Sequence, residues 1–110
     1  MNNTEVYKSI IEQIKLNKKV WLLQAMEGAY AMFEDNNGQE YIPVWPNEEM
    51  ASKYIVDDWS GYKSETMPFY EFINWLVELN DDNVKIAISD GNDNMIIPIE
   101  AIKFKNDLLK

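Results

Sequence analysis

The chain has 110 residues and a formal net charge of −9, and it contains no Cys, His or Arg. Nucleic acids and anionic membrane surfaces would be repelled by this charge, so neither is an expected partner. The chain lacks a thiolate nucleophile, the commonest general base and the usual zinc ligands, so no catalytic residue, metal or cofactor is predicted.

Length and composition predict a single folded domain over residues 1–110. Hydrophobic types make up 46% of the chain and aromatic types 13%, which argues against disorder. No apolar run approaches the roughly 20 residues that a membrane span needs. The first residues lack the basic and then apolar pattern of a secretory signal, so the expected location is the cytoplasm.

The first half of the chain is predicted to form one helix and three strands. A helix over residues 4–16 is indicated by apolar residues at helical spacing: Tyr7, Ile10, Ile11 and Ile14. Short apolar or alternating runs predict strands over 20–24, 29–34 and 39–45. The Asp-Asn-Asn-Gly sequence at 35–38 is a strong hairpin signal, so the three strands are expected to form a β-meander.

Residues 41–49 read as a strand that runs directly into a helix. Pro46 cannot donate a hydrogen bond to a ladder, so the strand should stop there. Asn47 has the chemistry of a helix N-cap, because its side-chain oxygen can accept a free first-turn N–H. Glu48 and Glu49 then place negative charge at the positive end of the helix dipole. This pattern predicts a helix over 48–55.

The second half is predicted to alternate strands and helices. Residues 63–67 should form an edge strand, and Pro68 suits the first turn of the next helix. That helix has an apolar stripe of Phe69, Phe72, Ile73, Leu76 and Val77. A strand with one exposed face is expected over 84–89, a short strand over 95–97 and a closing helix over 98–109. The predicted fold is α+β, a single mixed, mainly antiparallel sheet with helices packed against it.

Several short motifs give a family resemblance that spans most of the chain, from about residue 19 to residue 105. They include Val20-Trp21-x-Leu23, Ile42-Pro43-Val44-Trp45-Pro46, Trp59-x-Gly61-Tyr62 and Trp75-Leu76. In this ordered set the chain resembles the bacterial domain-of-unknown-function family 2750. The resemblance implies a compact α+β domain and no activity, since none is assigned to that family. Asn47 departs from the family, in which a His often follows the Trp-Pro pair.

The tryptophans are the first candidates for a binding site. Trp21 and Trp45 lie on predicted strands, where large aromatic side chains usually fill a core. Trp59 lies in a polar loop and could bind a cation or partner, but covering the preceding helix is the favoured interpretation. Trp75 lies off the apolar stripe of its helix, which makes it the best candidate for an exposed contact residue. A wider buried face of that helix is the alternative.

Clustered carboxylates raise the questions of calcium and of acid–base catalysis. Residues 90–94 alternate ligand types, but Met95 and Ala101 stand where an EF-hand needs Gly and Glu. Hairpin turns explain this stretch and residues 35–38 better than calcium sites do. Glu48-Glu49, Asp57-Asp58 and Asp81-Asp82 are explained by helix-end and loop chemistry.

The leading functional hypothesis is a non-enzymatic protein-interaction module with a basic partner. A small acidic domain of this kind could neutralise a basic toxin as an immunity protein. The candidate binding residues are Trp45, Asn47, Glu48, Glu49, Asp57, Asp58, Trp59, Tyr62 and Trp75. The alternative is a small-molecule binder or carboxylate-dependent enzyme with an aromatic-lined pocket. A third hypothesis is a homo-oligomer that associates through Trp75 or the edge strand.

Overall fold

The computed structural model describes residues 3–56, 59–89 and 96–110, and it confirms the α+β class. In chain order the elements are α1 (Asn3–Asn17), β1 (Lys19–Met26), β2 (Ala29–Tyr30), β3 (Phe33–Glu34), β4 (Glu40–Pro43), α2 (Glu48–Ser52), β5 (Lys63–Pro68), α3 (Phe69–Asp81), β6 (Lys85–Ile88), β7 (Ile97–Glu100) and α4 (Ala101–Leu108). Within these ranges, no helix has the length and apolar character needed to cross a membrane.

The strands form two sheets, so the prediction of a single sheet is wrong. One sheet is antiparallel with the order β2-β1-β5, and β5 lies at an edge as predicted. The other has the order β3-β4-β6-β7 and is mixed, because β4 and β6 are parallel. An isolated bridge joins the sheets, in which Trp21 and Trp45 exchange backbone hydrogen bonds of 2.9 and 3.0 Å.

The strand predicted over residues 29–34 is divided between the two sheets, so the predicted β-meander is also wrong. Tyr30 pairs with Gln24 of β1, whereas Phe33 pairs with Tyr41 of β4. Side chains alternate with the same period in either sheet. The sequence pattern therefore could not reveal where the chain changes its pairing partner.

Successive residues of the central strands face two different hydrophobic clusters. Val20 and Leu22 of β1 enter the larger cluster, which also contains buried residues of α1, α3 and α4. Leu23 and Trp45 enter a smaller cluster with Ala51 of α2. Helices therefore cover both faces of the strands, with α2 on the side opposite to the other three.

This two-sided covering explains why the strand predicted over 84–89 has no exposed face. Ile86, Ala87 and Ile88 of β6 are all at least 96% buried. Strand β6 also lies between β4 and β7, so its edges are paired as well. A continuous apolar run is typical of a strand in this central position.

The helices differ from prediction mainly at the end of the chain. Residues 97–100 pair with β6 as β7, so the last helix begins at Ala101 rather than at Pro98. Pro98 is compatible with β7 because that strand lies at a sheet edge, where a missing N–H is tolerated. In α3, Val77 is 40% exposed and Leu79 is buried instead.

Candidate functional site

The strand-to-helix segment of residues 41–49 places some side chains in the core and others in solvent. Trp45 is only 2% exposed. The side-chain oxygen of Asn47 accepts a 2.9 Å hydrogen bond from the backbone N–H of Met50, which confirms the predicted N-cap. Glu48 and Glu49 point into solvent, and α2 ends at Ser52, three residues earlier than predicted.

The Asn47 cap gives a first testable prediction. Asn47→Ala removes the acceptor for a first-turn N–H of α2, and we expect the free energy of unfolding to fall by about 1 kcal/mol. Urea denaturation measures this change. Asn47→Asp is the matched control, because an aspartate retains the acceptor and should keep most of the stability. An equal loss in both variants would show that capping is not the role of this side chain.

Trp45 and Trp59 come together at one pocket on the α2 side of the mixed sheet. We call it the aromatic pocket, and it is lined by Phe33, Pro43, Trp45, Tyr54, Trp59, Ala87, Ile88, Ser89 and Ile96. Its volume is about 160 Å³. Trp45 lies 5.2 Å from Tyr54 between ring centroids, and Trp59 lies 6.3 Å from Phe33. The hydroxyls of Tyr54 and Ser89 are hydrogen-bonded at 2.6 Å.

The aromatic pocket has no charged residue among the described residues that line it. Glu48 and Glu49 do not converge on it, so these residues provide no acid–base pair for the carboxylate-dependent enzyme considered above. Tyr62 packs against the same small hydrophobic cluster as Trp59, with their ring centroids 6.5 Å apart. Asp57 and Asp58 lie outside the described residues.

Trp75 lies elsewhere, in a second depression between α3 and β2. We call it the acidic groove, and it is lined by Gly28, Tyr30, Met67, Glu71, Asn74, Trp75 and Glu78. Its volume is about 380 Å³. Trp75 is half-buried and packs on Tyr30 with ring centroids 5.3 Å apart. The helix therefore has a wider buried face than its apolar stripe indicated, and Trp75 is also open to the groove.

Carboxylates give this groove a negative field. Burial raises the pKa of the Tyr30 phenol, and the nearby charges of Glu71, Glu65 and Glu27 raise it further. On α3, Glu71, Trp75 and Glu78 have the spacing i, i+4, i+7, which places them on one face of the helix. That spacing could have been read from the sequence. The part played by Tyr30 could not be read from the sequence, because Tyr30 lies on β2, far from α3 along the chain.

Comparison with known proteins identifies the family and nothing more specific. A family model described as "Protein of unknown function (DUF2750)" matches residues 7–108. The chain belongs to the DUF2750 family. This assignment confirms the resemblance drawn from the Ile-Pro-Val-Trp-Pro motif and its companions. No match was found among curated proteins or among solved structures.

In this DUF2750 protein, both oxygens of the Asp35 carboxylate accept hydrogen bonds within the hairpin. One of its oxygens accepts backbone hydrogen bonds from Asn37 at 2.9 Å and Gln39 at 3.0 Å, and the other accepts from the Tyr41 hydroxyl. These bonds, that from Gln39 above all, lower the pKa of Asp35. Gly38 adopts a φ of 86°, as such a turn requires. The turn interpretation is confirmed at this stretch, whereas residues 90–94 lie outside the described part.

A third cluster, between α1 and α4, was not predicted from the sequence. The Asp107 carboxylate accepts a 2.5 Å hydrogen bond from the Tyr7 hydroxyl and pairs at 3.0 Å with both Lys103 and Lys110. The bond from Tyr7 is the main reason that the pKa of Asp107 lies far below its usual range. Of these contacts, the hydrogen bond from Tyr7 joins the two helices, whereas both ion pairs are local to the end of the chain. Across the ranges described, no group of acidic side chains in the DUF2750 protein is arranged to hold a metal ion.

Proposed function

We propose that the protein is a non-enzymatic, cytoplasmic interaction module that binds a basic segment of a partner protein in the acidic groove. The observation that carries this proposal is the half-buried Tyr30–Trp75 pair beside Glu71 and Glu78. It combines an aromatic surface with negative charge at one place. The surface around Glu48 and Glu49, which are also candidate binding residues, is a rival location for the same function.

A lysine or arginine side chain has the chemistry that fits the acidic groove. Its aliphatic stem can pack on the ring of Trp75 while its charged end reaches Glu71 or Glu78. A cation over an aromatic face contributes about 0.5–2 kcal/mol, depending on how far it is desolvated. The pairing of ring and carboxylates therefore favours a basic side chain over an acidic or a purely apolar one.

Long-range attraction supports the same type of partner. The net charge of −9 would steer a basic protein toward this surface and speed association at low salt. Neutralisation of a basic toxin, as by an immunity protein, is one biological role that this chemistry would serve.

The first experiment compares two pairs of substitutions that change the net charge equally. Glu71→Gln with Glu78→Gln should weaken binding of a short lysine-rich peptide about fivefold or more, because both groove carboxylates are lost. Glu48→Gln with Glu49→Gln is the matched control, and we expect less than about a twofold change. Isothermal titration at fixed salt measures both. Equal effects would mean that bulk charge, and not the acidic groove, attracts the peptide.

A second comparison isolates the aromatic ring at constant charge. Trp75→Ala should weaken the peptide complex, whereas Tyr70→Ala should not, because Tyr70 lies on the same helix but outside the groove and is 73% exposed. If both variants bind as the wild type does, the ring has no part in recognition. A larger effect of the Glu48 and Glu49 pair would move the site to the rival face.

A further inference from the structure

The aromatic pocket is independent of the acidic groove and has a different chemical character. Its walls are rings and aliphatic groups from separate elements, including Phe33 from β3, Trp45 after β4 and Ala87 from β6. The parallel pairing of β4 and β6 brings Pro43 directly opposite Ala87. The pocket is therefore built on the sheet rather than on one surface loop.

The size of the pocket suits one small ring. Apolar cavities of about 150 Å³ in proteins stay dry and bind benzene, because water finds too few hydrogen-bond partners in them. At about 160 Å³ the aromatic pocket is of this size. Its aromatic side chains offer faces and edges for offset or edge-to-face contacts with a ring.

The charge of the lining restricts the occupant further. Charged residues make up 26% of the chain, yet none is found among the described residues around the pocket. An ion placed there would lose hydration without gaining an oppositely charged partner from these residues. An uncharged occupant avoids that cost.

The indole N–H of Trp45 is a second, independent observation at this pocket, because it is a buried donor without an acceptor in the described part of the chain. Among the described residues it is the one buried side-chain nitrogen or oxygen without a hydrogen-bond partner. Buried donors without a partner are uncommon in proteins, because most buried polar groups form at least one hydrogen bond. Trp45 also lines the pocket, so its N–H group is a natural reporter of any occupant.

We propose that the aromatic pocket binds a small uncharged aromatic molecule of about one six-membered ring. Phenol is a suitable probe, since it is water-soluble and uncharged at neutral pH. We expect saturable binding with a dissociation constant of about 1 mM or tighter, which is within the range open to so small a ligand.

The test follows the four tryptophan indole N–H signals by two-dimensional ¹⁵N–¹H NMR, assigned with single Trp→Phe variants. On addition of phenol, the signals of Trp45 and Trp59 should shift and saturate. That of Trp75 is the internal control and should not move, because Trp75 lies in the acidic groove and does not line the pocket. Benzoate, the charged analogue, should cause no saturable shift. Equal shifts at all four signals, or an equal response to benzoate, would overturn the proposal.

Filling the pocket provides the second arm of the test. Ala87→Leu adds side-chain volume at the wall and should weaken phenol binding at least tenfold. Because Ala87 is only 4% exposed, this variant could fail to fold. Ile96→Trp is the alternative, since Ile96 is 48% exposed and a larger ring there would cover the opening. Unchanged phenol binding in a folded variant of either kind would exclude the pocket as the site.

Discussion

Phe104→Ala is expected to lower the free energy of unfolding by about 3–5 kcal/mol, the range typical of a large buried ring. Phe104 of α4 is fully buried in the larger cluster. It makes an edge contact with Phe72 of α3, with ring centroids 5.9 Å apart, and lies 6.1 Å from Tyr7 of α1. Its removal would leave a cavity where three helices meet.

Urea denaturation followed by circular dichroism measures this change. Tyr70→Ala is the matched control, because Tyr70 is an exposed aromatic residue and its loss should cost less than about 1 kcal/mol. A similarly small loss for Phe104→Ala would contradict the packing of α4 against α1 and α3. A loss that approaches the whole stability of a small domain would be consistent with it.

Trp45→Ala should also cost about 3–5 kcal/mol, but through the smaller cluster. Trp45 is 2% exposed, and its backbone forms the bridge between the two sheets. Its ring packs on Tyr54 beyond α2. Truncation would enlarge the aromatic pocket and remove the largest buried side chain of the smaller cluster, which also contains Ala51 of α2.

Trp45→Phe distinguishes the contribution of ring packing to stability from that of the indole N–H group. Phenylalanine keeps much of the packing and removes a buried donor that lacks a partner, so it should cost clearly less than alanine. Equilibrium unfolding of both variants gives the comparison. If Trp45→Phe were as damaging as Trp45→Ala, the indole N–H would have to make a stabilising interaction of its own.

Local features of this protein were predictable from short stretches of sequence. The apolar spacing of α1 and α3, the cap at Asn47 and the turn at Asp35 each depend on residues within a few positions of one another. The physical causes are the helical period, a side-chain acceptor and the positive φ that Gly38 tolerates. The structure confirms all four, except that in α3 Val77 is exposed and Leu79 is buried instead.

The candidate sites were predictable only in part. Tryptophans 45 and 59 were singled out from the sequence, and they do meet at the aromatic pocket. Glu48 and Glu49 were also candidate binding residues, and they point into solvent and do not line this pocket. A residue's type indicates what chemistry it offers, but the direction of its side chain depends on the element that carries it.

The sequence by itself determined the α+β class, most of the elements, the Asn47 cap and membership of the DUF2750 family. Only the tertiary structure decided that the strands form two sheets, that β4 and β6 are parallel, and that Tyr30 meets Trp75. Helix periodicity and turn chemistry act between neighbours in the chain. Strand pairing joins residues far apart, and alternation of side chains is the same whichever partner a strand takes.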